Sequence, residues 1–402
     1  MEKTVIPFGT ITITEKTKRL INEALEQKRI SSGKLVREFE MSYARIHGVQ
    51  EAIAVSSGTD ALANALAVLY DYGAKRGDEI IVPALSFVAT GNAVLHAGFT
   101  PVFVDIQRDT LTINPERIAK AVTRRTKAII PVHLMGKPAD MEVINSLARL
   151  YDLMVIEDAA EAHGAKYKGR KVGSLGDMAA FSLYLAHIIT TGEGGIVTTD
   201  DADKAAILRS LRSHGRACKC ATCVSNLTSG YCDKRFHNSA QTDIRFVFER
   251  HGFSSKMNEL EAAIGLGCLD LYEEILERRR KNFYAMAAIV EKYADILYTI
   301  KEGPEEKIGP HAFPIILKET APFSRDRMAI YLEQHGIDSR NLFQSMPTQC
   351  PGFAFLGGRY GEFPEAEYVA NYGLHIGVHQ DIAETQIDYL AEVLDSMVKQ
   401  ML

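Results

Sequence analysis

The chain has 402 residues, 46% hydrophobic and 24% charged, with a formal net charge of -5. That is enough apolar material for a large core, and length suggests two or three domains. The weak charge, without a dense Lys/Arg stripe, argues against nucleic-acid partners. No apolar run reaches the roughly 18 residues of a membrane span, and MEKTVIPFGTITITEK lacks the apolar segment and cleavage site of a secretion signal. A cytoplasmic protein with no membrane partner is expected.

In chain order, residues 16–48 are charged and helical, broken near Ser31-Ser32-Gly33. EAIAVSS then predicts a strand and TDALANALAVLYDYG a helix. EIIVPAL, TPVFVDI, KAIIPVHL and LMVIEDAA predict further strands, with helical stretches such as VATGNAVLHAG between them. This alternation predicts an α/β fold: a mainly parallel sheet sandwiched by helices. AAFSLYL and GGIVTTD continue the strands, and DADKAAILRSLRSHG a helix. From about Ser255 the pattern changes to a long apolar-striped helix, MNELEAAIGLGCLDLYEEILERRRKNFYAMAAIVEKY. A strand, HAFPIIL, and a closing helix, DIAETQIDYLAEVLDSMVKQML, follow. The expected division is a larger unit, 1–250, and a smaller C-terminal α/β unit, 251–402.

Ser56-Ser57-Gly58-Thr59 lies between a strand and a helix. Small residues there suit either an anion on a helix N-terminus or an ordinary N-cap. Asp158 ends LMVIED, where a carboxylate at a strand's carboxyl end can face a ligand or cap a helix. Phe87 in PALSFVAT can stack on a flat ring or pack in a core. Taken singly, each residue has a plain structural explanation.

Taken in order, SSGTDAL, PALSFVAT, VIEDAAEAHGAKYKG, FSLYLAH, TTGEGG and KMNELEAAIG resemble the DegT/DnrJ/EryC1/StrS branch of the fold type I pyridoxal-phosphate enzymes. The resemblance runs over nearly the whole chain. It implies that Ser57, Gly58 and Thr59 with Ser182 hold the cofactor phosphate, Phe87 stacks on the ring, and Asp158 pairs with the pyridine nitrogen. Glu161 would lie near the cofactor or substrate. The family's dimer has its active sites at the subunit interface, and a partner segment before KMNELEAAIG helps bind phosphate. Where the family has G-Y-N, this chain has Gly252-Phe253-Ser254, which leaves Ser254 as the donor.

One departure defines the subclass. In FSLYLAHIITTGEGG, the family's cofactor-bonding lysine is His187. Histidine cannot anchor the cofactor covalently, but its ordinary pKa of about 6.5 suits it to proton transfer. The same substitution marks the family's nucleotide-sugar 3-dehydratases, which act on NDP-4-keto-6-deoxyhexoses with unattached pyridoxamine or pyridoxal phosphate. The expected function is C3 dehydration of such a substrate. The alternatives are an aminotransferase-like enzyme on another keto-sugar and a cofactor-binding regulator that has lost catalysis. Lys256, Arg340, His375 and His379 are further candidates near substrate.

The segment SHGRACKCATCVSNLTSGYCDKRF, 213–236, carries Cys218, Cys220, Cys223 and Cys232. Four close cysteines in a reducing compartment suit iron–sulfur or tetrahedral zinc. The order Cys-x-Cys, a later cysteine, then DKRF resembles CDP-4-keto-6-deoxyglucose 3-dehydratase. That resemblance implies a [2Fe-2S] cluster fed by an external reductase. The family's upstream ligand falls at Ala160, so Cys223 is the expected fourth thiolate, with His214 and His237 as further candidates.

Overall fold

The structure is a computed structural model describing residues 5–224, 230–237 and 242–401. Two helices open it, α1 (Glu15–Glu26) and α2 (Lys34–His47). The break between them falls at the expected serines. The N–H groups of Gly33, Leu35 and Val36 donate to the buried carboxylate of Glu259, 2.8–3.0 Å away. A negative side chain there satisfies orphan donors and matches the helix dipole.

The main sheet has seven strands: β1 (Glu51–Val55), β2 (Glu79–Pro83), β3 (Thr100–Val104), β4 (Thr126–Ile129), β5 (Met154–Asp158), β6 (Met178–Ser182) and β7 (Gly195–Thr199). Their order is β1-β7-β6-β5-β4-β2-β3. Only β7 runs against its neighbours; the other pairs are parallel. Helices α3 (Gly58–Ala67), α4 (Ala89–His96), α5 (Met141–Tyr151) and α6 (Ala202–Leu211) fall between strands or after them.

The strands are buried on both faces, and the side chains split by period two. Ile53, Val55, Ile80, Val82 and Ile156 enter one core cluster; Ala52, Ala54, Ile81, Ile129 and Val155 enter the other. Alternate residues of a strand point to opposite faces, so near-continuous apolar runs are what a doubly covered sheet requires.

The long helical pattern after Ser255 is divided at Leu271 into α7 (Glu259–Asp270) and α8 (Tyr272–Glu291). α7 packs against α1 and α2. The bend frees α8 to reach a second, wholly antiparallel sheet: Leu297–Tyr298, Phe313–Leu317, Gly373–Ile376 and Ser339–Asn341, in that spatial order. Phe313, Ile315, Leu374 and Ile376 join the same cluster as Ile53 and Ile80, so apolar packing is continuous between the sheets. No helix among the described residues is long and apolar enough to cross a membrane.

Candidate active site

A cavity of about 470 Å³ opens at the carboxyl ends of the parallel strands, the usual ligand position in such sheets. Each strand end delivers one element of its wall. β1 leads into Ser57, Gly58 and Thr59, β2 into Ser86 and Phe87, β5 into Asp158, Ala160 and Glu161, and β6 into Ser182 and His187. His311, Arg340 and His375 close it from the second sheet and the chain leading to it.

The α3 N-terminus is built for close approach. Ser57 is its N-cap, accepting the Asp60 N–H at 3.0 Å, so the plain capping role expected of this motif holds for Ser57. Gly58 has a different constraint. A Cβ there would stand 2.7 Å from Ser182 Cβ and 3.0 Å from Ser182 Cα. Only glycine lets the helix start and the end of β6 share this corner, where the first N–H groups of a helix favour an anion.

Asp158 is buried, and no cation lies within ion-pair distance of it among the described residues. Oδ2 accepts from the Thr90 hydroxyl at 2.7 Å, and Oδ1 from the Ala160 N–H at 3.3 Å. Burial raises its pKa, opposed by those two bonds and by His133. A pyridinium N–H is the kind of partner such a carboxylate lacks. Phe87, 56% exposed, offers an uncovered ring in the same wall. Pyridoxal or pyridoxamine phosphate therefore fits: an anion corner, an uncovered aromatic face and an unpaired buried carboxylate line one cavity.

His187 sits in the turn after β6, its N–H donating to Tyr184 O at 3.0 Å. The ring is buried, and Nδ1 has no protein partner. Burial, aided by the Arg279 charge, pushes its pKa down to about 3, so the imidazole is neutral near neutral pH. No lysine lines the cavity among the described residues. Glu161 accepts the Met135 N–H at 2.8 Å and stands 3.9 Å from His311 Nε2. Burial, then the Asp158 charge, lift its pKa to about 8 against the Met135 bond.

Of the remaining candidates, His375 and Arg340 line the cavity, with the Arg340 guanidinium 3.9 Å over the Phe8 ring. His379 lies outside it, its Nε2 3.1 Å from Pro7 O. Ser254 and Lys256 are exposed and line no part of the cavity within this chain. Thr90, the last residue of PALSFVAT, and His311, which lies in no quoted motif, gain their roles from contact: Thr90 through Asp158, His311 through its ring 4.5 Å from that of His187.

Cys218 and Cys220 are hydrogen-bonded neighbours that also feel Cys223, and burial raises the Cys218 pKa. Yet among the described residues no three His, Cys, Asp or Glu side chains are gathered to hold a metal. Cys232 follows residues 225–229, which lie outside the described residues. The backbone N–H of His214 donates to Phe253 O at 2.7 Å, and His237 Nδ1 lies 2.6 Å from Asp233 O. Ala160 lines the cavity, whereas none of the four cysteines does.

Fold and cavity together define a fold type I pyridoxal-phosphate-type enzyme. The chain matches the DegT/DnrJ/EryC1/StrS aminotransferase family over residues 11–395 and belongs to it. It is 36% identical over 380 residues to GDP-perosamine synthase of Caulobacter vibrioides, covering 94% of each chain. It is 33% identical over 403 residues to dTDP-4-dehydro-2,6-dideoxy-D-glucose 3-dehydratase of Saccharopolyspora spinosa, covering 98% of this chain and 86% of that one. Among solved structures, E. coli GDP-4-keto-6-deoxy-D-mannose-3-dehydratase with bound hydrated PLP superposes with a TM-score of 0.86 at 30% identity, over 98% of this chain and 100% of the other.

Proposed function

We propose that this enzyme removes the C3 hydroxyl of a 4-keto-6-deoxy nucleotide sugar, using unattached pyridoxamine phosphate. The observation that carries the reading is the neutral, unpartnered His187 in a cavity without a lysine. When bound, the cofactor supplies an amine for the substrate ketone and a ring that accepts electrons. Asp158 holds the ring nitrogen protonated, and Phe87 covers one face. Gly58, Thr59 and Ser182 hold the phosphate, joined by Ser254 of a second copy in a homodimer. With pyridoxamine phosphate bound, His187 would be the residue that moves a proton at the cofactor's C4' carbon, its buried neutral imidazole having a free lone pair. Glu161, kept protonated by burial, is a donor beside His311 for the departing hydroxyl.

Cys218, Cys220, Cys223 and Cys232 line no part of this cavity. A visible spectrum of anaerobically purified protein tests that segment directly. A chromophore bleached by dithionite would add a [2Fe-2S] cluster and a reductase partner. A pyridoxamine band alone would leave renewal of the cofactor amine to a small-molecule amino donor.

The competing reading is amino transfer, favoured by the likeness to a perosamine synthase. The two separate in one experiment. Protein loaded with pyridoxamine phosphate is mixed with GDP-, CDP- and dTDP-linked 4-keto-6-deoxy sugars, and products are resolved by mass. A deoxygenated keto-sugar is the expected product. An amino sugar with every ring hydroxyl retained would overturn the proposal.

A further inference from the structure

Arg279 of α8 is buried to 1% exposure, the largest fully buried side chain in the core. No carboxylate lies within ion-pair distance of it among the described residues. Its guanidinium donates only to neutral acceptors: Ala186 O at 3.3 Å, His311 O at 3.1 Å, Pro310 O at 3.3 Å and Gln380 Oε1 at 3.2 Å. Cys268 and Asp381 favour its charge only from beyond contact, so burying it is costly, and an apolar side chain of similar size would pack more favourably there. The acceptors explain why a guanidinium stands here instead. Two of its carbonyls belong to His311 itself and to the residue before His187. Those chain segments lie far apart in sequence, yet their rings touch in the cavity floor.

We infer that Arg279 is the positioning residue of the site: its planar fork ties the turn carrying His187 to the segment carrying His311. It also sets a fixed positive charge behind both rings. The assignment rests on the reading of His187 as the base. A guanidinium suits the task because its donors are held in one plane and it stays charged. Burial lowers its pKa only to about 10, so the charge persists at neutral pH. Around His187 stand Tyr184 from its own turn, His163 from the loop after β5, His311, and Arg279. Across the cavity lie Asp158, Glu161, Glu193, Arg340 and His375. Arg279 opposes protonation of His163, His187 and His311 alike.

Two variants separate the tie from the charge, Arg279→Lys and Arg279→Gln, each in the full-length protein. The first readout is the His187 ring titration by NMR in ligand-free protein, assigned with His187→Asn. It needs no substrate, so a failure of the proposed reaction leaves it interpretable. The second is the pH profile of turnover in the loaded enzyme. Arg279→Lys is expected to leave the His187 titration in place. It lowers kcat about 10- to 100-fold, because an ammonium cannot span both carbonyls. Arg279→Gln is expected to raise the His187 midpoint by about one unit or more and to move the acid limb of kcat/KM with it. An unchanged titration and turnover in Arg279→Gln would overturn the inference. If the glutamine variant does not fold, the lysine variant decides, and wild-type kcat there overturns it.

Discussion

The His187 and His311 rings lie with centroids 4.5 Å apart and planes tilted by 34°. One comes from the turn after β6, the other from the chain entering the second sheet. Both are buried, and each has an Nδ1 without a protein partner. Two such rings at that distance are compatible only with at least one of them uncharged, which is the state a base requires.

Replacing His187 with Asn removes the base and leaves a small polar side chain. Turnover is expected to fall by about 10²–10⁴. Cofactor affinity is expected to stay within a few-fold, because no phosphate or ring contact is lost. Steady-state rates beside a pyridoxamine phosphate titration check this. Full turnover in His187→Asn would sink the base assignment.

Asp158→Asn keeps the shape and removes the charge that holds the ring nitrogen protonated. A charge-assisted hydrogen bond contributes about 1.5–3 kcal/mol, so cofactor affinity is expected to drop about 10- to 100-fold. Thr90→Val, which removes the 2.7 Å bond to Asp158, is expected to weaken binding less, since the carboxylate remains. Equilibrium titration of the two variants gives the ranking; a stronger effect from Thr90→Val would contradict it.

At Gly58 the obstacle is backbone. Because an added Cβ would stand 3.0 Å from Ser182 Cα, either α3 or β6 must shift. Gly58→Ala is expected to cost about 1–3 kcal/mol of stability, as overpacking does, and to abolish tight phosphate binding. Melting curves with and without pyridoxal phosphate read both effects. Ligand-induced stabilisation equal to wild type would exclude the phosphate corner.

Glu161 gives a pH signature with a definite sign. Its carboxyl has an ordinary pKa of 4.5, lifted by burial to about 8 in the folded chain. Within that window the folded state holds a proton that the unfolded state has released. Stability from this group therefore falls as pH rises from the lower value through the upper one. Glu161→Gln removes the slope. In ligand-free protein its melting temperature is expected to match wild type near the lower value, to exceed it progressively between the two values, and to keep a constant margin above the upper one. A wild-type-minus-variant difference that stays flat with pH would show that Glu161 ionises normally.

Much of the fold was readable in advance because the evidence for it is local. The strand runs from EAIAV to GIVTT are apolar on both faces over a few residues each, and their alternation with helices already implies a covered parallel sheet. The break at Leu271 was not readable: the apolar stripe continues across it, and only the two packing partners of α7 and α8 require a bend. In the cavity, Gly58, Phe87, Asp158, Ser182 and His187 could be named because each lies in one of the ordered motifs that carry the family resemblance. His311 and Arg279 carry no such pattern and read as ordinary letters, and Thr90, though it closes PALSFVAT, gains its role only from its contact with Asp158. Cysteine spacing suggested a metal cage, and among the described residues no three His, Cys, Asp or Glu side chains are gathered for one.

From the residue order alone come the layered α/β class, the family and the exchange of lysine for His187, all set by patterns a few residues long. The tertiary structure decided which polar groups share the cavity and in what electrical state. Burial removes water from Asp158, Glu161 and His187 together, and the charge of Arg279 reaches His187 across a few ångströms of low-dielectric interior. Those effects depend on distance in space, which sequence separation does not encode.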